Sequence, residues 1–342
     1  MVQRRTFIRY TGLATAGTVT GLAGCLGDDD PDPDADPDED PDDDFPTQPV
    51  TWVVPFGEGG GTDTYARQIQ GPMSEALGES INIDNRPGAG GLVGAGEMVR
   101  SDNDGYTFGS VNLPSVVNSW LVQEPDWDMR DVEGVGSIGQ YPFMMITNPD
   151  YEVEDLDDLI GRFEDGEMET FAIQGIGHTT HAIALLMRDE FGMPWDRLVV
   201  YDGGGPVREA VISDEVSVGI ATATSALPGY EAGDLDVVAN LSSEVTDVFP
   251  DMTPAPDLGF PNIDYVALTI LAKFAPPGTP DSAIQTLTEA MEDAVNSDPV
   301  QEWSDDTGNE VGYLGPDETY EAAMDAIDSI QENVDLAELR ED

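Results

Sequence analysis

Three glycine-rich turns carry the residues of this chain best suited to binding chemistry. The first is Phe56-Gly57-Glu58-Gly59-Gly60-Gly61-Thr62-Asp63, between an apolar run and an amphipathic one. Glycines let a ligand approach the main chain, and the helix beginning there offers unpaired N–H groups and a partial positive charge. That combination suits a carboxylate or phosphate. Thr62 or Asp63 could also serve simply to cap the helix. The second turn, Gly175-Ile176-Gly177-His178-Thr179-Thr180-His181, offers small residues, hydroxyl donors and a further helix start. The third is Tyr201-Asp202-Gly203-Gly204-Gly205-Pro206, at the end of an apolar run where α/β ligands collect. Its Asp202 faces either a ligand or the helix that follows. The candidate binding residues are Phe56, Gly59, Gly60, Gly61, Thr62, Asp63, Gly175, Gly177, His178, Thr179, Thr180, His181 and Asp202.

Other chemistries find less support. The first turn has no Gly-Lys-Ser/Thr, so it is no Walker A loop, and its consecutive glycines make a poor dinucleotide fingerprint. His178 and His181 are the only histidines, and no carboxylate or cysteine stands at a spacing that completes a metal site. No metal or cofactor is expected. A Gly-x-Ser-x-Gly elbow is absent, and Cys25, the only cysteine, precedes the folded region. An enzyme is therefore not expected. A surface hydrolase or a small-molecule sensor is the alternative to simple binding. Arg86, in Asn85-Arg86-Pro87-Gly88-Ala89-Gly90-Gly91, is expected to pair with a surface carboxylate.

Positioning these turns requires alternating strands and helices, an α/β pattern. Strands are expected at 51–56, 81–84, 106–111, 143–147, 169–173, 198–201, 218–221 and 235–240. Helices are expected at 63–77, 92–100, 180–191, 283–295 and 316–339, with an apolar segment at 265–274. In the first helix Pro72 removes the bond to the Gln68 carbonyl and should kink or end it.

The 342 residues suit two domains. With 13 Lys+Arg against 69 Asp+Glu the formal charge is −56, which excludes nucleic acid as a partner. Because 39% of residues are apolar, the acidity points to a surface adapted to molar salt rather than to disorder. Arg4-Arg5-Thr6-Phe7-Ile8 opens a twin-arginine signal, and Leu22-Ala23-Gly24-Cys25 resembles a lipobox, making Cys25 the expected lipid attachment site. This signal occupies residues 1–26. An Asp/Pro tether follows over 27–47, too charged and too poor in apolar residues to fold.

Val53-Val54-Pro55-Phe56 with Gly59-Gly60-Gly61-Thr62-Asp63, then Asn85 to Gly91 and Asp104-Gly105-Tyr106-Thr107, resemble the substrate-binding receptors of tripartite tricarboxylate transporters. The likeness continues in Tyr201 to Pro206, Ser225-Ala226-Leu227-Pro228 and Phe274-Ala275-Pro276-Pro277-Gly278-Thr279-Pro280. It implies a two-domain type II periplasmic-binding-protein fold with crossing hinge strands and a ligand cleft between the domains. Domain 1 would comprise 48–145 and 270–342, domain 2 residues 146–269, with crossovers at 141–148 and 265–275. It implies a di- or tricarboxylate held by main-chain amides, hydroxyls and waters of the first two turns, and delivery to membrane permease subunits. The protein would act outside the cytoplasmic membrane, lipid-anchored to its outer side. Two departures stand out: serines are common in the family where His178 and Thr179 stand, and Glu58 adds a negative charge to the first turn. His181 matches a histidine often present there.

Overall fold

The computed structural model describes residues 45–341. The twin-arginine motif, Cys25 and the acidic stretch as far as residue 44 lie outside the described residues. Phe45 already packs edge-on against Tyr106, ring centroids 5.0 Å apart.

Val50–Val54 (β1) has four of its five residues buried, as expected of a strand covered on both faces. Gly61–Leu77 (α1) follows, and Tyr65, Ile69, Met73 and Leu77 form its buried stripe. The helix does not end at Pro72: it continues to Leu77 and closes at Gly78, whose φ of 78° suits glycine. Gln68 and Gly71 are exposed, so the carbonyl that loses its partner lies on the solvent side, where water can replace the missing bond.

Ile81–Asn85 (β2) and Thr107–Leu113 (β3) flank β1 in parallel, with Leu92–Val99 (α2) between them in sequence. Ser115–Gln123 (α3) leads to Glu133–Thr147 (β4), far longer than its apolar core at 143–147 suggested. The second half runs Leu156–Glu164 (α4), Thr170–Ile173 (β5), Thr179–Asp189 (α5), Arg197–Val200 (β6), Gly204–Ile212 (α6), Val218–Thr222 (β7), Ala223–Ala232 (α7) and Asp236–Asn240 (β8). The chain returns through Asp264–Ala267 (α8) and Leu268–Ala275 (β9), then Asp281–Val295 (α9), Asp298–Thr307 (α10), Val311–Leu314 (β10), Pro316–Asn333 (α11) and Glu338–Glu341 (α12). The single helix expected over 316–339 is thus two. Val334 adopts extended angles (φ −114°, ψ 130°), and its side chain packs at the edge of two hydrophobic clusters.

All ten strands join one curled mixed sheet, in the order β2-β1-β3-β9-β4-β7-β5-β6, with β8 and β10 also on β4. The first part of β4 pairs antiparallel with β9, whereas Phe143 to Thr147 pair with β7. Two hydrophobic clusters surround β1, β3 and β9, and two surround β5 and β7. At β1, β3, β5, β6 and β7 the carboxyl end runs directly into a helix, and those ends are where α/β folds collect ligands.

Lys273, the only lysine, lies fully buried on β9. Its Nζ donates to the Leu271 and Ala272 carbonyls at 2.9 and 3.3 Å and lies 5.4 Å from the Trp52 ring centroid. Desolvation holds its pKa well below the usual lysine range. The unfolded amine is protonated below about pH 10.4, so at neutral pH the burial opposes folding. Lys273→Met should therefore raise unfolding stability at pH 7 by about 1–3 kcal/mol. That gain should shrink as the pH approaches 10, which denaturant titrations at both pH values would show; a less stable variant at pH 7 would contradict the reasoning.

Candidate functional site

Five strand-to-helix junctions converge on one pocket. Its walls are Phe56, Gly60, Gly61 and Thr62 at the start of α1, and Asn112 and Ser115 around the start of α3. Gln174 and His178 come from before α5, Gly204 from α6, Thr222 from the start of α7, and Tyr141 and Phe143 from β4. The space left among them is about 10 Å³, room for about one water. No lysine, arginine, aspartate or glutamate lines it.

The helix starts supply the polarity. Gly60, Pro114 and Gly203 precede α1, α3 and α6, and none gives its helix a side-chain cap. The α1 and α6 starts come close together: a Cβ built on Gly60 would lie 3.7 and 3.6 Å from the Gly204 and Gly205 nitrogens. A Cβ on Gly61 would come 2.6 Å from Thr222 Oγ1 and 2.8 Å from the Tyr141 ring, so only glycine allows that approach. Two half-charges a few ångströms apart repel by about 1 kcal/mol at an effective dielectric of about 20. A carboxylate between them reverses the sign, with a gross attraction of about 4 kcal/mol before its own desolvation.

A hydroxyl–amide cluster forms one wall. Asn112 Nδ2 donates to Thr62 Oγ1 at 2.6 Å and to the Tyr141 hydroxyl at 2.9 Å, and those two oxygens are 3.1 Å apart. Burial raises the Tyr141 pKa, keeping the phenol protonated as a donor. With Tyr141 donating to Thr62, the Thr62 proton remains for an acceptor in the pocket.

His178 caps α5: its Nδ1 accepts from the Thr180 N–H at 3.1 Å. An Nδ1 accepting from an N–H carries no proton, so the neutral ring is protonated on Nε2. The ring stands edge-on to Phe56 and Phe143, with centroids 5.6 and 6.0 Å away. Desolvation, with the neighbouring His181 adding to it, lowers the His178 pKa to about 3.

The other expected site residues hold the walls in place rather than forming them. Asp63 accepts from the Gly59 N–H (2.9 Å), Arg67 Nε (2.9 Å) and Asn85 Nδ2 (3.0 Å), which fixes the first turn from behind. The Gly59 carbonyl accepts from Arg208 Nη1 and Ser225 Oγ, both at 3.3 Å, so Arg208 ties loops together. Thr179 Oγ1 meets Ser115 Oγ at 2.9 Å, Thr180 Oγ1 accepts from the Gln174 N–H at 2.8 Å, and His181 Nδ1 accepts from the Gly177 N–H at 3.3 Å. Gly175 abuts Gly90, where a Cβ would meet the Gly90 Cα at 2.6 Å, and the Gly177 carbonyl accepts from Asn118. Asp202 engages through its main chain, its carbonyl accepting from Gly57 N–H at 2.8 Å, while its side chain is exposed and caps nothing. Glu58 points outward, its side chain 78% exposed and 3.6 Å from Arg67, so its charge stays off the pocket. Arg86 pairs with Asp84 at 2.8 Å on the surface.

Asn112, Ser115, Tyr141, Phe143, Gln174 and Thr222 were not singled out as binding residues from the sequence, and Gly204 only as part of the third turn. Asn112 and Tyr141 lie inside strands that read as apolar, so only the strand pairing brings them to Thr62. The pattern held one signal: a polar residue at 112 beside the end of a strand whose neighbours are apolar.

The low pKa of His178 has a consequence for stability. The unfolded imidazole takes up a proton below about pH 6.5 and the folded one only near 3, so its contribution is complete above 6.5 and is lost as the pH falls towards 3. His178→Asn keeps an N-cap without the titration. Between pH 7 and pH 5 the wild type should lose about 2 kcal/mol more than this variant in denaturant unfolding. Parallel losses would place the His178 proton elsewhere.

Comparisons with known proteins converge. The family model described as the tripartite tricarboxylate transporter family receptor matches residues 65–334. BugT of Bordetella pertussis is 30% identical over 288 residues, covering 83% of this chain and 87% of that protein. The MatC structure from Rhodopseudomonas palustris, with bound malate, superposes with a TM-score of 0.72 at 25% identity, over 84% of this chain and all of that one. A second R. palustris structure, with adipate, shares the fold (TM-score 0.77, 24% identity, 87% and 99% covered). The α/β architecture is that of periplasmic solute-binding proteins, and the resemblance first carried by the glycine motifs holds along the folded chain: it belongs to the receptor family of the tripartite tricarboxylate transporters, a family of receptors rather than enzymes.

Proposed function

We propose that this receptor captures a small carboxylate of the di- or tricarboxylate class by closing two lobes around it, and delivers it to the permease subunits of a tripartite tricarboxylate-type transporter. The observation that carries the reading is the close approach of the α1 and α6 starts, neither with a side-chain cap, in a pocket with no charged side chain. An anion there turns a repulsion between helix ends into an attraction, so closure is favoured when the ligand is present. The malate bound to MatC is in keeping with this ligand chemistry. The lobes would be 48–145 with 270–342, and 146–269, hinged where β4 and β9 cross between the sheet halves.

The N-terminal residues support export by the twin-arginine route and attachment to the outer side of the cytoplasmic membrane through a lipid on Cys25. The charge of −56 supports a protein that works in concentrated salt.

Thermal unfolding of the full chain in molar KCl, screened against mono-, di- and tricarboxylates, amino acids and sugars, tests the ligand reading. A carboxylate at 100 times its dissociation constant should stabilise by about 2.7 kcal/mol. Gly60 has extended angles open to any residue (φ −76°, ψ 167°), so Gly60→Leu should fill the seat and weaken binding at least 100-fold without backbone strain. Stabilisation by sugars alone, or an unchanged affinity in the variant, would refute the proposed seat. Cys25→Ser should move the protein from the membrane to the soluble fraction; membrane retention would exclude the lipid anchor.

A further inference from the structure

Building on the carboxylate reading, one residue of the pocket wall also carries an acceptor that a plain carboxylate leaves unused. Asn112 is 3% exposed and forms part of the wall. Its Nδ2 is spent on Thr62 and Tyr141, yet its Oδ1 is buried with no hydrogen-bond partner among the described residues. A buried amide oxygen without a donor is costly, and carboxylate oxygens cannot supply one.

We infer that the ligand carries a hydroxyl beside a carboxylate, and that Asn112 Oδ1 accepts from it, making Asn112 the residue that selects hydroxy acids over their deoxy analogues. The donor is a hydroxyl rather than an ammonium because no acidic side chain lines the pocket, and the α1, α3 and α6 starts present their positive ends there. The division of labour is then simple. The helix N–H groups and the Thr62 hydroxyl hold the anionic oxygens, and Asn112 reads the substituent. A site that hydrogen-bonds a ligand hydroxyl discriminates strongly against the analogue lacking it, because the deoxy form leaves the buried acceptor unpaired.

The test is isothermal titration of the full chain with matched sets: malate, succinate and oxaloacetate, and lactate, propionate and pyruvate. In at least one set the hydroxy acid should bind at least tenfold more tightly than both its deoxy and its oxo partner. Asn112→Ala should bring the hydroxy/deoxy ratio close to one while the deoxy acid still binds. Equal affinities for hydroxy and deoxy acids overturn the assignment and leave the carboxylate reading standing. A preference for the oxo acid overturns it too, because the amide would then present Nδ2 to the ligand. If no carboxylate binds, the underlying reading fails with it. The wild-type panel decides the question even if the variant does not fold.

Discussion

Everything about this pocket depends on one electrostatic constraint: the α1 and α6 starts, neither with a side-chain cap, lie within a few ångströms of each other without a side-chain anion between them. Two helix starts away from the pocket are quenched locally. Asp155 caps α4, and Glu318 returns to the Gly315 N–H at the start of α11. With 69 acidic residues in the chain, a carboxylate at the pocket would have been easy to place; its absence from the walls keeps the positive ends available. In concentrated salt surface charges act over only about 3 Å, but buried dipoles are screened far less. The acidic exterior and the anion-seeking interior are therefore compatible.

The constraint shapes the surrounding residues. Glycine is required where α1 crosses β7 and β4, because Thr222 and Tyr141 leave no room for a Cβ at Gly61. Asp63 supports the first turn from the far side, its charge taken up by Arg67 and its oxygens by Gly59 and Asn85. Arg208 likewise spends its guanidinium on the Gly59 and Ser225 carbonyls. Arg208 thus fastens two loops, and the ligand is left to neutral donors. His178 follows the same rule: buried and uncharged, it offers a directional N–H without introducing a titrating cation.

Much of this was legible in the sequence, for identifiable reasons. The apolar runs and the four-residue spacing of Tyr65, Ile69, Met73 and Leu77 located β1 and α1, and the glycine turns marked three of the five junctions at the pocket. The helix expected over 63–77 runs on through Pro72 to Leu77, because the face that loses a bond there meets water. Within the turns, sequence could not separate the residues that form walls from those that buttress them: Thr62 and Asp63 are adjacent, yet one faces the pocket and the other turns away. Asn112 and Tyr141 were invisible as partners because they meet only through the pairing of β3 and β4 with β9. The extended start of β4 was missed because Gly134, Gly136 and Gly139 interrupt its apolar pattern.

The central claim is that closure of the pocket depends on an anion between the helix starts. Spin labels at Val93→Cys, at the start of α2, and Ile176→Cys, in the turn before α5, are both exposed and stand on opposite sides of Gly88 to Gly90, and would report it in a Cys25→Ser background. Pulsed dipolar distances should be short and narrow with a bound carboxylate and longer and broader without one. A single short distance in both conditions would show that the helix ends tolerate each other without an anion, and would contradict the account.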